Sequence, residues 1–352
     1  MGRMLFLGAW IICVACNGAI TRAADTPAPA DVTKMEAVVV TGEQPGPGLW
    51  KVQKGDHVLW LLGSLSPLPK KMTWRTKEVD ALVAQSQAVI MQPRVDVDAD
   101  IGFFGKLMLL PSLIGVRNSP EGRTLQQVVP ADEYARWLVL KQRYMGHNNK
   151  VEKWRPIFAA MELYRTALDR SGLTGLNSNL VEDKVAEAAK RAHIQVTVLS
   201  VELKVEQPRQ AVKEFKNTSM DDQDCFRKTL DRIDTDLGTM TERANAWATG
   251  DLDALRKLPY TDQLTVCEAA LSATGLGRRL GGADLDARIR QKWLDTVSSA
   301  VDKNTASIAV LPIRRLLSAD DGYLSGLAAR GYSIQAPDAQ DESGAVHEDK
   351  NP

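Results

Sequence analysis

The sequence has 352 residues, 44% of them apolar, which is enough for one large domain or two small ones with an ordinary hydrophobic core. Its 44 lysines and arginines balance 44 aspartates and glutamates, so the chain lacks the global basic field of nucleic-acid-binding proteins. Nucleic acid is therefore excluded as an expected partner, whereas an enzyme and a binding protein both remain open.

Residues 1–23 have the pattern of a secretory signal peptide. Arg3 precedes an apolar stretch over residues 5–16, and small residues close the segment. The apolar part is too short for a permanent anchor, so we expect a periplasmic or secreted chain with no transmembrane anchor after signal removal. Lipid attachment at Cys16 is the alternative, although Cys13 is an unfavourable residue three places before it.

The composition then divides the remainder of the chain into three parts. Residues 24–46 are rich in Pro, Ala and Thr, which predicts a flexible leader, and residues 338–352 have the same character and predict a disordered tail. Residues 47–337 between them contain no low-complexity break and no short repeat. We expect one continuous globular domain there.

The first elements of this domain are predicted to be strands. "LWKVQKGDHVLWLLG" alternates around a turn at residues 54–56, and its second strand is apolar throughout, which is typical of a central strand. A helix from about Thr73, capped by Thr73 or Thr76, leads to the short buried strand "AVIMQP".

Helical periodicity then runs from residue 100 to 175, followed by the helix "NSNLVEDKVAEAAKRA" and the strand "IQVTVL". A long helical stretch covers residues 221–247, and the chain closes with a helix at 284–301, the strand "SIAVLP", the helix "DDGYLSGLAARG" and the strand "YSIQAP". This order predicts an α/β fold, with a mixed β-sheet formed from two related halves and wrapped by many α-helices.

Two of the four cysteines lie in the predicted signal peptide, which leaves Cys225 and Cys267. An oxidising compartment and an even count favour a disulfide between them. Closing a loop of that length contributes about 3 to 4 kcal/mol in the chain-entropy account. A two-cysteine metal site and two buried free thiols are the alternatives.

Two segments resemble the TraB/GumN family, which includes bacterial periplasmic proteins and the animal Tiki metalloproteases. "GLWKVQKGDHVLWLLGSLSPLPKKMTWR" is similar to the family's strand pair, proline-rich turn and Trp-Arg helix start, and "DDGYLSGLAARGYSI" is similar to its closing pattern. The likeness extends from about Pro47 to Pro337. It implies the mixed α/β fold and a divalent metal held by histidines of two Gly-x-x-His motifs and by acids.

The family's ligand positions are changed in this chain. Gly63 is kept, followed by Ser64, but Ser66 stands in place of the first histidine. The other changed positions are Gln92 for a common glutamate, Asn177 for a common aspartate, and residues 313–316, with Arg314 and Arg315, for the second Gly-x-x-His. Amides keep the shape of an acid but not its charge, so they neither ligate as anions nor act as general bases.

We interpret these positions as a former metal site retained as a ligand pocket, with no catalytic residue, metal or cofactor. The expected function is a non-catalytic protein with a binding or regulatory role in the cell envelope, for an unknown peptide or envelope component. The alternative is a metal-dependent peptidase or hydrolase that holds a divalent metal such as Mn or Co through atypical ligands. A structural envelope factor without a ligand is the third hypothesis.

Individual side chains allow more than one role. Ser64 and Ser66 are nucleophile candidates, but no histidine motif accompanies them, so we favour hydroxyls that satisfy the turn backbone. Arg314 and Arg315 are candidates to bind a carboxylate or phosphate; alternatively they are solvated or pair with Asp320 and Asp321.

Four acids near these segments offer a further possibility, since they could rebuild a different site. They lie beside lysines at helical spacing, a pattern that favours a solvated face. The four are Glu182, Asp183, Glu202 and Glu206.

Overall fold

A computed structural model describes five segments of the chain: residues 46–98, 101–176, 178–258, 263–318 and 321–338. The predicted signal peptide, nearly all of the leader and nearly all of the tail lie outside these segments. So do Asn177 and Asp320. All statements below concern the described residues.

Eight strands form two sheets. The strands are β1 (Leu49–Lys54), β2 (His57–Ser64), β3 (Ala88–Ile90), β4 (Arg94–Asp98), β5 (Val196–Thr197), β6 (Ser200–Lys204), β7 (Ala306–Pro312) and β8 (Ser333–Gln335). The main sheet has the order β5-β3-β7-β2-β1-β8, and β4 pairs with β6 in a separate two-stranded sheet. Strands β5, β3, β7 and β2 run parallel to one another. At one side of the sheet, β1 pairs antiparallel with β2, and β8 pairs antiparallel with β1. The predicted mixed α/β fold is confirmed.

Helices fill the intervals between the strands. They are α1 (Lys77–Gln85), α2 (Phe103–Leu113), α3 (Leu125–Val128), α4 (Ala131–Tyr144), α5 (Pro156–Arg170), α6 (Leu180–Arg191), α7 (Pro208–Asn217), α8 (Gln223–Thr235), α9 (Leu237–Thr249), α10 (Leu252–Lys257), α11 (Gln263–Ser272), α12 (Gly275–Arg279), α13 (Leu285–Lys303), α14 (Ile313–Leu317) and α15 (Tyr323–Ala328). No helix of the described segments is long and apolar enough to cross a membrane.

The main core lies around the two central parallel strands. β2 pairs with β7 over seven residues, from Val58 with Ala306 to Ser64 with Pro312. Both strands are apolar along nearly their whole length, because helices cover the sheet on both faces and leave neither face to solvent. Strands β2 and β7 consequently end side by side, at the same edge of the sheet.

A second core is purely helical. Trp137 of α4 packs on Phe226 of α8 at a ring distance of 5.7 Å, and Tyr164 of α5 is fully buried beside them. Cys225 of α8 and Cys267 of α11 form a disulfide, with 4.7 Å between their Cα atoms. The predicted disulfide is therefore present, and it joins two helices of this region.

Two sequence-based boundaries need correction. The first helix begins at Lys77 with Thr76 at its N-cap position, which agrees with the second of the two predicted caps and not with a start near Thr73. Trp74 lies before the helix and makes an edge contact with Trp247, at a ring distance of 5.4 Å. The helical stretch over residues 221–247 is two helices that meet at the buried Asp236. Strands β4 and β6 and helix α14 were not predicted at all. The predicted relationship between two halves stays a prediction.

Candidate ligand site at the carboxyl edge of the parallel strands

The parallel strands bring three of the predicted positions to one edge of the main sheet. β2 ends at Ser64, β7 lies beside it and ends at Pro312, and β3 lies on the other side of β7. Gln92 follows the end of β3 by two residues, and Arg314 follows the end of β7 by two residues. The carboxyl edge of parallel strands is the usual position of ligand sites in α/β folds. The topology therefore places Ser64, Gln92 and Arg314 at one such edge.

Gly63 is needed for the approach of α14 to β2. A Cβ atom at this position would lie 2.9 Å from Cγ1 of Ile313 and 3.0 Å from its Cβ, closer than side-chain carbons pack. The carbonyl of Gly63 accepts a hydrogen bond of 2.7 Å from the indole Nε1 of Trp247. Gly63 therefore has a packing role at the end of β2.

Ser64 faces a buried acid at this edge. It lies beside the carboxyl of Glu182, which is in the first turn of α6. Glu182 is 5% exposed and Ser64 is 8% exposed. Burial raises the pKa of Glu182, while its own backbone amide, the Ser64 hydroxyl and the charge of Arg94 act in the opposite direction. Glu182 is thus a buried acid beside a serine.

The expectation that all four acids form a solvated face was wrong for Glu182. Asp183, Glu202 and Glu206 are exposed, as expected, whereas Glu182 is buried. The reason is the helix phase: Val181 and Val185 pack into the main core, and Glu182 lies beside them at the start of the helix. The available sequence signal was the helical spacing, because Glu182 lies one residue after Val181 and three residues before Val185, next to the apolar side of α6.

Ser66 has a different partner from Ser64. Its hydroxyl donates to the backbone carbonyls of Gly175 and Leu176, at 3.2 and 3.3 Å. The same turn is joined to this loop by the amide of Leu68, which donates to the Thr174 hydroxyl at 2.9 Å. Ser66 therefore holds the turn after β2 against the loop between α5 and α6. Asn177 follows that loop and lies outside the described residues.

The two arginines after β7 differ in their surroundings. Arg315 is 15% exposed and contacts two acids, Asp286 at 3.1 Å and Asp321 at 3.4 Å, while its guanidinium lies over the ring of Tyr323. Burial opposes its charge, but the two carboxylates outweigh burial and raise the pKa of Arg315. The predicted pairing with Asp321 is present for Arg315.

Arg314 and Gln92 are polar side chains at this edge that have no partner among the described residues. Both side chains are half-buried. Within the described segments, neither the guanidinium of Arg314 nor the amide of Gln92 has a hydrogen-bond or ion-pair partner. Arginine presents five donors in a planar fork, and glutamine presents both a donor and an acceptor. These two side chains are available to a ligand.

The side chains present do not fit a divalent metal. In the described segments, no three His, Cys, Asp or Glu side chains come together closely enough to hold a metal ion. Of the carboxylates described near this edge, those of Asp286 and Asp321 are paired with Arg315, and burial disfavours the charged form of Glu182. A metal site needs several convergent anionic or imidazole ligands, whereas this edge offers a serine, a glutamine and an arginine.

The described residues form a mixed α/β protein in which Ser64, Gln92 and Arg314 follow or end the parallel strands of the main sheet. The model of the TraB/PrgY/gumN family matches residues 48–336. The chain belongs to this family. Searches of curated proteins and of solved structures found no match.

Proposed function

We propose that this chain is a non-catalytic member of the TraB/PrgY/gumN family that acts in the cell envelope by binding a ligand at the carboxyl edge of its parallel strands. The ligand is a peptide or an envelope component that carries a carboxylate or phosphate. The main support is the guanidinium of Arg314, which has no partner among the described residues and which, like Gln92, follows the end of a parallel strand.

The chemistry of the edge favours binding over catalysis. A general base must reach its substrate, but the carboxyl of Glu182 is buried. The hydroxyl of Ser66 donates to backbone carbonyls, so this serine has a structural partner. An arginine and an amide recognise an oxyanion through hydrogen bonds without any proton transfer.

Two features support the proposed location in the cell envelope: the N-terminal sequence and the pair of cysteines. Residues 1–23 have the pattern of a secretory signal, and Cys225 and Cys267 are joined as a disulfide. Disulfides persist in the periplasm and outside the cell, and are rare in a reducing cytosol. An envelope location accounts for both features.

The direct test is anion binding by the oxidised protein. We would measure the thermal midpoint of unfolding with increasing inorganic phosphate, and with a short peptide rich in aspartate, for the wild type and for Arg314→Ala. The proposal predicts a concentration-dependent rise in the wild type that Arg314→Ala abolishes.

Arg143→Ala is the matched control, since Arg143 is an exposed arginine on α4, a helix that packs in the second, helical core rather than on the main sheet. This control should respond as the wild type does. An equal response of all three proteins, or no response from any, would reject a ligand site at Arg314.

A further inference from the structure

Helix α2 exposes an unusual amount of apolar surface. Leu107, Met108 and Leu110 are 53%, 64% and 56% exposed, and Ile114, directly after the helix, is 76% exposed. Leu113 is 39% exposed. Single exposed apolar residues are ordinary, but a continuous group of this kind marks an interaction surface.

These side chains form one ridge. Positions 107, 110, 111 and 114 lie on the same side of a helix with 3.6 residues per turn, and Met108 lies next to them. Leu109 and Ser112 point to the other side and are half-buried, where α2 packs against α7. The helix thus uses a narrow side for packing and leaves its wider apolar side to solvent.

The segment around α2 also lacks negative charge. Residues 101–118 contain Lys106 and Arg117 and no aspartate or glutamate. A helix exposed only because it is solvated normally carries charges of both signs on its outer side. The exposed side of α2 has neither kind of charged side chain among its described positions.

Helix α7 places a basic row beside this ridge. Arg209, Lys213 and Lys216 follow the spacing i, i+4, i+7, so they share one face of α7, whereas Ala211 and Phe215 are buried on another face. The Nζ of Lys216 donates to the carbonyl of Ile114 at 2.9 Å, which puts this face next to the end of α2.

The first two residues of the basic row, Arg209 and Lys213, have no acidic partner among the described residues. Both side chains are exposed. The nearby acid Glu214 is already engaged by Arg279 at 2.6 Å. The apolar ridge is therefore bordered by positive charge that nothing in the described segments neutralises.

We propose that the α2 ridge and the basic row of α7 together dock this protein on the surface of an anionic lipid bilayer. An apolar helix side inserts at the boundary between head groups and acyl chains, while adjacent lysines and arginines attract acidic head groups. A second copy of the chain is a poorer occupant, because ridge-to-ridge contact would bring the basic rows of the two copies close together. The proposal does not depend on the ligand site at Arg314.

The test is co-sedimentation of the full mature chain with vesicles. Vesicles of phosphatidylethanolamine with phosphatidylglycerol should bind the wild type, and phosphatidylcholine vesicles should bind it much less. Leu107→Glu and Leu110→Glu should each lower binding about tenfold or more, since a charge would replace a side chain that enters the apolar region. Lys213→Gln should lower binding less and should weaken its dependence on salt.

Val139→Glu is the control, because Val139 is a similarly exposed valine, 62% accessible, on α4. It should bind as the wild type does, and near-ultraviolet circular dichroism should show native packing in every variant. No binding by the wild type, or unchanged binding by both α2 variants, would overturn the proposal. A dimer that Leu107→Glu and Leu110→Glu dissociate would also overturn it, and would assign the ridge to a second copy.

Discussion

Ser64, at the end of β2, lies beside the buried Glu182 at the start of α6, and its hydroxyl opposes the rise in the pKa of that carboxyl. This contact connects the end of β2 to the helix that follows the loop at residues 171–176. Because burial favours the neutral carboxyl, the contact has a consequence for the pH dependence of stability.

We expect Glu182 to make the protein less stable as pH rises. The pKa of Glu182 is higher in the folded protein than in the unfolded chain, so the stabilising effect is full below the unfolded pKa and is lost as pH rises through the folded pKa. Glu182→Gln removes the titration and keeps a polar side chain beside Ser64. Its free energy of unfolding should exceed that of the wild type by about 1 kcal/mol at about pH 7, and should match or fall below it at about pH 4.

Urea denaturation of both proteins at the two pH values measures this difference. Asp183→Asn serves as the control, because Asp183 is the exposed neighbour of Glu182. A Glu182→Gln variant that is less stable than the wild type at neutral pH would show that the charged carboxylate is the stabilising form.

Gly63→Ala should destabilise the protein by about 1 to 3 kcal/mol through overpacking. The added Cβ would meet the buried side chain of Ile313 at 2.9 Å, and Ile313 is fixed at the start of α14. Gly175→Ala is a matched control, because a Cβ there meets nothing within 4 Å. Thermal unfolding of the two variants should separate them, and equal midpoints would contradict the packing role of Gly63.

Arg314 and Arg315 should respond differently to truncation. Arg315→Ala leaves Asp286 and Asp321 without their shared cation and removes a contact over Tyr323, so we expect a loss of about 1 to 3 kcal/mol in unfolding free energy. Arg314→Ala should change stability by less than about 0.5 kcal/mol, because no partner is lost within the described segments. Chemical denaturation checks both values, and a larger loss for Arg314 than for Arg315 would contradict the assigned roles.

Reduction of the Cys225–Cys267 disulfide should lower the free energy of unfolding by about 4 kcal/mol, as expected for a closed loop with a sequence separation of 42 residues. The comparison is urea denaturation with and without a reducing agent. In a Cys225→Ser, Cys267→Ser double variant, the reducing agent should have no effect. Identical curves for the oxidised and reduced wild type would contradict a stabilising role.

The buried strands and the edge positions could be predicted in part from sequence. Continuous apolar runs in β2 and β7 identified buried strands, and the family resemblance pointed to the residues after β2, β3 and β7. The pairing of β2 with β7, which makes Ser64 and Pro312 neighbours, is a contact between distant segments. No local pattern encodes it.

The elements that were missed lack a local signal. β4 is exposed along nearly its whole length, so its residues show no buried face, and β6 pairs only with β4. Glu182 was expected to be solvated because lysines and acids surround it, and its burial arises from the packing of α6 against the main core. In both cases tertiary contacts outweigh the local pattern.

We expect the carboxyl edge to bind a ligand without a metal. The decisive experiment is calorimetric titration of the oxidised mature protein with Mn²⁺, Co²⁺ and Zn²⁺. We expect no saturable heat, because the described side chains at this edge include a single buried carboxyl and no imidazole. Binding of one ion per chain with micromolar affinity or tighter would show instead that the protein holds a metal, and peptidase assays would be the next step.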